Sequence, residues 1–147
     1  MADDDRFLGT WTLLPELSLY ETGTPPASGT YTISEPTAGV LTLHVAWRME
    51  PEGDLRGTSF GGPCDGTPQP LPMPPGVTTR SAGIPDALTL TRVDASTLDS
   101  AALVEGRVVA YARRVVSRDG TLLAVAQDAI GGDGNRARNF QVYRRSD

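Results

Sequence analysis

The chain has 147 residues and a formal net charge of −5, a length that argues for one domain over residues 1–147. Hydrophobic residues make up 39% and charged residues 21%, which excludes a disordered polyelectrolyte, and no apolar run approaches the roughly 18 residues of a membrane span. The acidic balance argues against nucleic acid as a partner, because phosphate neutralisation calls for a basic face.

Residues 1–6, Met-Ala-Asp-Asp-Asp-Arg, lack the basic and apolar regions of a secretory signal. They are expected to form a flexible, solvated tail, and the protein is expected to be cytoplasmic, although a chain trimmed of its leader would look the same. Phe7 to Leu14 reads as the first strand. Gly29 to Ser34 alternates, with Tyr31 and Ile33 on one side and Thr30 and Thr32 on the other. Val40 to Arg48 places Leu41, Leu43, Val45 and Trp47 on one face and Thr42, His44 and Arg48 on the opposite one, which is the period of a half-buried strand.

Residues 49–86 hold most of the prolines, which confines that stretch to edges, bulges and loops with one or two short strands, for example around Leu55 to Phe60. Cys64, the only cysteine, makes an intrachain disulfide impossible and suits a reducing compartment. Strands are then predicted at Ala87–Val93, Thr97–Val104, Arg107–Val116, Thr121–Asp128 and Arg138–Arg144. Glu105-Gly106 and Asp119-Gly120 supply hairpin turns, and Gly131 to Asn135 a looser loop. Helical periodicity is nearly absent. Hairpin-linked segments at this spacing point to an all-β antiparallel meander closing into an up-and-down barrel of about 8–10 strands.

Phe7-Leu8-Gly9-Thr10-Trp11 reads F-x-G-x-W. It resembles the G-x-W signature of the lipocalins and their calycin relatives. The resemblance implies a barrel base in which Gly9 lets the strand bend and Trp11 plugs one end beneath the cavity. It also implies a late arginine stacked on the tryptophan, with Arg138, Arg144 and Arg145 as candidates. Further segments resemble a bacterial family of small lipocalin-like proteins without an assigned role. They are Cys64-Asp65-Gly66 with Pro70; Asp86, Leu88, Leu90, Arg92, Val93 and Asp94; Arg114, Val116, Ser117, Asp119, Gly120 and Leu123; and Asn139, Val142 and Tyr143. The proline-rich stretch at 68–79 and the Ala101-Ala102 pair depart from that pattern. This family implies a fold rather than an activity. Similarity to fatty-acid-binding proteins is looser: residues 15–28 leave no room for their helix–turn–helix, and Gln141 stands where their late R-x-Y pair has arginine, with Tyr143 retained.

Few groups offer catalytic chemistry. His44 is the only histidine and falls opposite the apolar face, so it is expected outside; haem held through it is the minor alternative. One histidine without a cysteine cluster does not build a metal site, and Cys64 beside Asp65 is a poor nucleophile. Neither the Asp3-Asp4-Asp5 run nor Gly131 to Gly134 has the spacing of a calcium loop. The binding clue is Arg114, whose parity groups it with Val108, Ala110, Ala112 and Val116; small alanines there leave space, and a guanidinium in that space can pair with a carboxylate or phosphate. Parity alone leaves open whether Arg114 faces in, or Arg113 does together with Tyr111. Gln127 shares the Leu123 and Val125 face. The expected ligand-binding set is Tyr31, Trp47, Tyr111, Arg114, Gln127 and Phe140, with Gly9 and Trp11 at the base.

The leading expectation is binding of a small, largely apolar molecule with a polar or acidic end, without cofactor or metal. A calycin-type enzyme such as a cyclase, isomerase or decarboxylase is the alternative and requires two ionisable groups converging in the cavity. A packed structural or interaction domain is the third reading. A homodimer is compatible with all three.

Overall fold

The computed structural model describes residues 5–71, 84–130 and 134–146. The tail residues 1–4, much of the proline stretch (72–83) and the start of the last glycine loop (131–133) lie outside them. Among the described residues, eleven strands form one antiparallel sheet: β1 (Gly9–Leu13), β2 (Leu19–Tyr20), β3 (Ser28–Thr37), β4 (Val40–Arg48), β5 (Arg56–Pro63), β6 (Gln69–Pro70), β7 (Ala87–Asp94), β8 (Thr97–Val104), β9 (Arg107–Val116), β10 (Leu122–Ile130) and β11 (Arg136–Arg145). Their order is β5-β4-β3-β1-β11-β10-β9-β8-β7-β6, with β2 pairing the far end of β11. The expected β-barrel is what the chain adopts. β11 returns to pair with β1 (Trp11 opposite Arg145). On the other side, residues just past β5 reach β7 through a bridge between Asp65 and Thr91, with Gly66 N–H donating to Leu90 O (2.8 Å) and Arg92 N–H to Cys64 O (3.0 Å). The barrel is therefore nearly closed, its seam between β5 and β7 held by this bridge and these two backbone bonds.

Period-2 alternation sets the inner face. Leu41, Leu43, Leu90, Leu98, Leu123 and Val125 are among the fully buried side chains, each flanked along its strand by more exposed neighbours. The tight turns follow turn chemistry. Glu105 (φ 49°) and Gly106 (φ 81°) both lie at positive φ, as a two-residue hairpin requires. Asp119 Oδ1 accepts from Ser117 Oγ (2.8 Å), Thr121 N–H (3.1 Å) and Thr121 Oγ1 (2.7 Å). Those bonds hold the Asp119 carboxyl down at about 2, with the Thr121 hydroxyl the largest cause. Two short elements were not expected from pattern, the 3-10 turn Pro15–Leu17 and β2. Both lie where a helix–turn–helix would have required more chain.

The base is built as the tryptophan signature implies. Trp11 is fully buried, donating Nε1–H to Phe7 O (3.1 Å). Arg145 is the stacking arginine: its Cζ lies 4.1 Å from the Trp11 ring centre. Its fork donates to Gly120 O (2.9 Å), Leu8 O (2.7 Å) and Arg6 O (2.7 Å), which stitches the first strand's entry to the β9–β10 hairpin. Gly9 sits at φ 131°, supplying the bend. Of the expected tail, Asp5 and Arg6 are held down. Asp5 pairs with Arg92 (2.7 Å), and Arg6 donates to Ser117 O and Arg118 O.

Candidate functional site

Above the base the interior is hollow. A cavity of about 370 Å³ opens inside the barrel, within the usual 300–1,000 Å³ of small-molecule sites. Its walls differ. The β1 and β3–β5 side is apolar, with Leu13, Val45, Trp47, Met49 and Phe60. The side formed by β2, β10 and β11 is polar, with Tyr20, Gln127, Asn139, Gln141 and Tyr143. Strand register arranges the second side in rows. Val116, Leu123 and Tyr143 lie next to the base; Arg114, Val125 and Gln141 form the next row; Ala112, Gln127 and Asn139 form the one above.

Arg114 faces in. It is 3% exposed and lines the cavity. Its Nε–H donates to Tyr31 Oη (2.7 Å) and Nη1–H to Ser100 Oγ (2.9 Å). Its Cζ lies 5.8 Å from the Tyr31 ring centre and 5.6 Å from that of Phe60. Among the described residues no carboxylate pairs with it, and its Nη2 has no hydrogen-bond partner. The hydrogen-bond partners of Arg114 are both neutral, and the nearby Asp99 carboxylate, which feels its charge, is bonded to Arg113 on the outer face instead; burial of charge ordinarily demands a directly paired counter-charge.

Around it lies a chain of neutral polar groups. Tyr143 packs edge-on against Tyr31, ring centres 5.4 Å apart. Its hydroxyl donates to Gln141 Oε1 (3.0 Å), while Gln141 Nε2 donates to Tyr20 Oη (2.7 Å). Burial, the largest cause, raises the pKa of both Tyr143 and Tyr20. These phenols are therefore protonated at neutral pH and act as hydrogen-bonding groups rather than bases. No Asp, Glu, His or Cys is among the residues that line the cavity.

The structure sorts the expected residues. Tyr31, Trp47, Arg114 and Gln127 come together in one cavity. Tyr111 does not: its hydroxyl donates outside the barrel to Asp99 Oδ2 (2.7 Å), beside Arg113, whose Nε donates to Asp99 Oδ1 (2.8 Å). The side chain follows Arg113 because the two share parity, and Arg114 takes the inside. Phe140 is also outward and 40% exposed; Asn139 and Gln141 take the inward positions on β11, so the residue between them points away. It lines an outer groove with Leu19 and Ala126. His44 lies on the outer face, its Nδ1 2.6 Å from Ser59 Oγ. Sequence reasoning missed Asn139, Gln141, Tyr143 and Tyr20 as wall residues. Their signal was available: Tyr143 fixes the parity of β11, and that parity places 139 and 141 inside.

No family model and no curated protein matches the chain. Solved structures do. A mutant of the fluorescent protein UnaG aligns over 100% of this chain and 99% of its own, with a TM-score of 0.62 and 17% identity. Zebrafish ileal bile acid-binding protein, complexed with cholic acid, aligns over 96% and 99% with a TM-score of 0.53 and 12% identity. A redesigned β-barrel aligns over 98% and 95%, with a TM-score of 0.52 and 12% identity. Among the described residues no helix is long and apolar enough to cross a membrane. The architecture that the tryptophan signature implied, a lipocalin-like β-barrel fold, is thus the one the chain adopts.

Proposed function

We propose that the barrel binds one small, largely apolar molecule and that Arg114 receives its acidic end. The observation that carries this reading is the buried guanidinium without an ion-pair partner among the described residues, opening on a cavity with one apolar wall. A ligand carboxylate supplies the missing charge and satisfies Nη2 through a charge-assisted hydrogen bond. Leu13, Val45, Trp47 and Phe60 would enclose the apolar body. Tyr31, already bonded to the Arg114 Nε, would fix the fork's plane. The volume favours a compact ligand. The acidic surface charge supports a small molecule rather than nucleic acid as the partner.

Native mass spectrometry of freshly purified protein tests this directly. A co-purifying adduct of a small acid, lost in Arg114→Met, is the expected result. An adduct retained in that variant would remove Arg114 from the site. Titration with 2-naphthoate, a compact aromatic carboxylate, gives the same comparison for a defined ligand.

A further inference from the structure

We infer that Gln127 and Asn139 form a second polar station in the cavity, so that the natural ligand is an acid carrying an additional hydroxyl or N–H group rather than a plain hydrocarbon acid. This rests on the acid-binding reading above and adds a second point of recognition to it.

Gln127 and Asn139 are direct cross-strand partners on β10 and β11, and both line the cavity. They occupy the row above Arg114, two residues along the strand from its own row. Two residues of extended chain separate the rows by about 7 Å. The two stations thus lie on one wall at a defined spacing, facing the apolar wall of Val45, Trp47 and Phe60.

The polar groups in the lower rows are engaged with one another. Gln141 uses its amide on both sides, accepting from Tyr143 and donating to Tyr20. The upper pair is not. Asn139 Oδ1 is shut off from solvent and has no hydrogen-bond partner. Turning the amide over would exchange an unmatched acceptor for an unmatched donor. Gln127 has only a long 3.4 Å contact, accepting from Gln141 Nε2. A buried amide oxygen without a partner is unfavourable in the empty barrel, and satisfied polar groups are the rule in native interiors. The pair offers donor and acceptor side by side, which suits a hydroxyl or an amide-like N–H edge. A hydrocarbon body at this level would leave it unmatched, and rejection of such a ligand is the stronger form of discrimination a polar site provides.

The test uses two rigid carboxylates, 2-naphthoate and 6-hydroxy-2-naphthoate, which differ by one hydroxyl placed across the rings from the acid. Dissociation constants come from fluorescence titration or calorimetry. The wild type is expected to bind the hydroxylated acid at least 10-fold more tightly. Asn139→Leu is expected to erase that preference, bringing the affinities for the two acids within about threefold of each other. Gln127→Leu, at the more open position, provides the second variant should Asn139→Leu fail to fold, and is expected to reduce the preference. If the wild type binds both acids equally, with both affinities dependent on Arg114, the second station is wrong and the acid-binding reading survives. If both leucine variants retain the preference, the station is likewise wrong. If neither acid binds the wild type, both proposals fall together.

Discussion

Replacing Arg114 by methionine separates a ligand anchor from a structural cation. Cutting one member out of a buried ion pair costs about 3–5 kcal/mol because an uncompensated charge is left behind. Arg114 has no such partner among the described residues; what it would leave is the Tyr31 phenol and the Ser100 hydroxyl. Each is neutral, and losing its hydrogen bond is worth about 1 kcal/mol. Against that, the substitution lifts the desolvation penalty of a guanidinium that is 3% exposed. Methionine retains the apolar stem against Phe60. Stability of the empty protein is therefore expected to change by no more than about 2 kcal/mol in either direction, a shift of about 4–8 °C in Tm for a domain of this size. Affinity for a carboxylate ligand is expected to fall by the worth of a hydrogen bond to a charged group, about 1.5–3 kcal/mol, or about 10- to 150-fold. Thermal melting of the ligand-free protein and a 2-naphthoate titration read the two effects. A loss of more than 3 kcal/mol in stability together with unchanged affinity would refute the reasoning and make Arg114 a structural element.

Other perturbations test other parts. Arg145→Lys is expected to destabilise by about 3 kcal/mol in urea unfolding, because an ammonium cannot fork to three carbonyls while stacking on Trp11. Tyr111→Phe and Phe140→Ser are expected to leave ligand affinity within twofold, since both side chains lie outside the barrel; a larger loss would reverse their placement. Glu105→Asn is expected to stabilise by about 0.5–1 kcal/mol, because asparagine tolerates the positive φ of that turn better than glutamate. Asp119 has its folded pKa depressed from 3.8 to about 2, so its turn contributes stability that is complete above 3.8 and lost as pH falls through about 2. Urea midpoints of wild type and Asp119→Ala should therefore differ at neutral pH and converge towards the bottom of that window.

Much of the fold was legible because most of the long strands bury one face and period-2 alternation records it. Val40–Arg48, Thr97–Val104 and Arg107–Val116 have the same bounds in sequence and structure. β2 and β6, two residues each, are too short to carry a period. The site was legible only in part, and the failures share a cause. On β9, valines and alanines occupy both faces, so hydrophobicity does not tell Arg113 from Arg114, and Tyr111 was carried along with the unresolved choice. What decides it is a contact distant in sequence: Asp99 on β8 captures Arg113 and Tyr111 on the outer face, which leaves Arg114 to meet Tyr31. On β11, Phe140 looked like a wall residue by type alone. Its neighbours at 139 and 141 are amides, which a hydrophobic pattern reads as exterior, and a polar wall inverts that rule.

Two of the barrel's inward arginines show why the same side chain serves opposite ends. Arg145 and Arg114 both stack on aromatic rings. Arg145 spends all three of its guanidinium nitrogens on backbone carbonyls that belong to the base itself. Those acceptors are fixed by the chain, so Arg145 is complete without any other molecule, and its removal unties the entry strand from the β9–β10 hairpin. Arg114 bonds through two nitrogens to two side-chain hydroxyls and opens on empty volume. Hydroxyls rotate and accept from either side, so they hold the fork in place without neutralising it. The difference predicts opposite responses to a bound acid. A ligand should stabilise the protein by mass action through Arg114, raising Tm with ligand concentration, and Arg145→Lys should lower the starting Tm without changing the size of that rise. A ligand response that vanished in Arg145→Lys while surviving in Arg114→Met would place the anion at the base and overturn the assignment of roles.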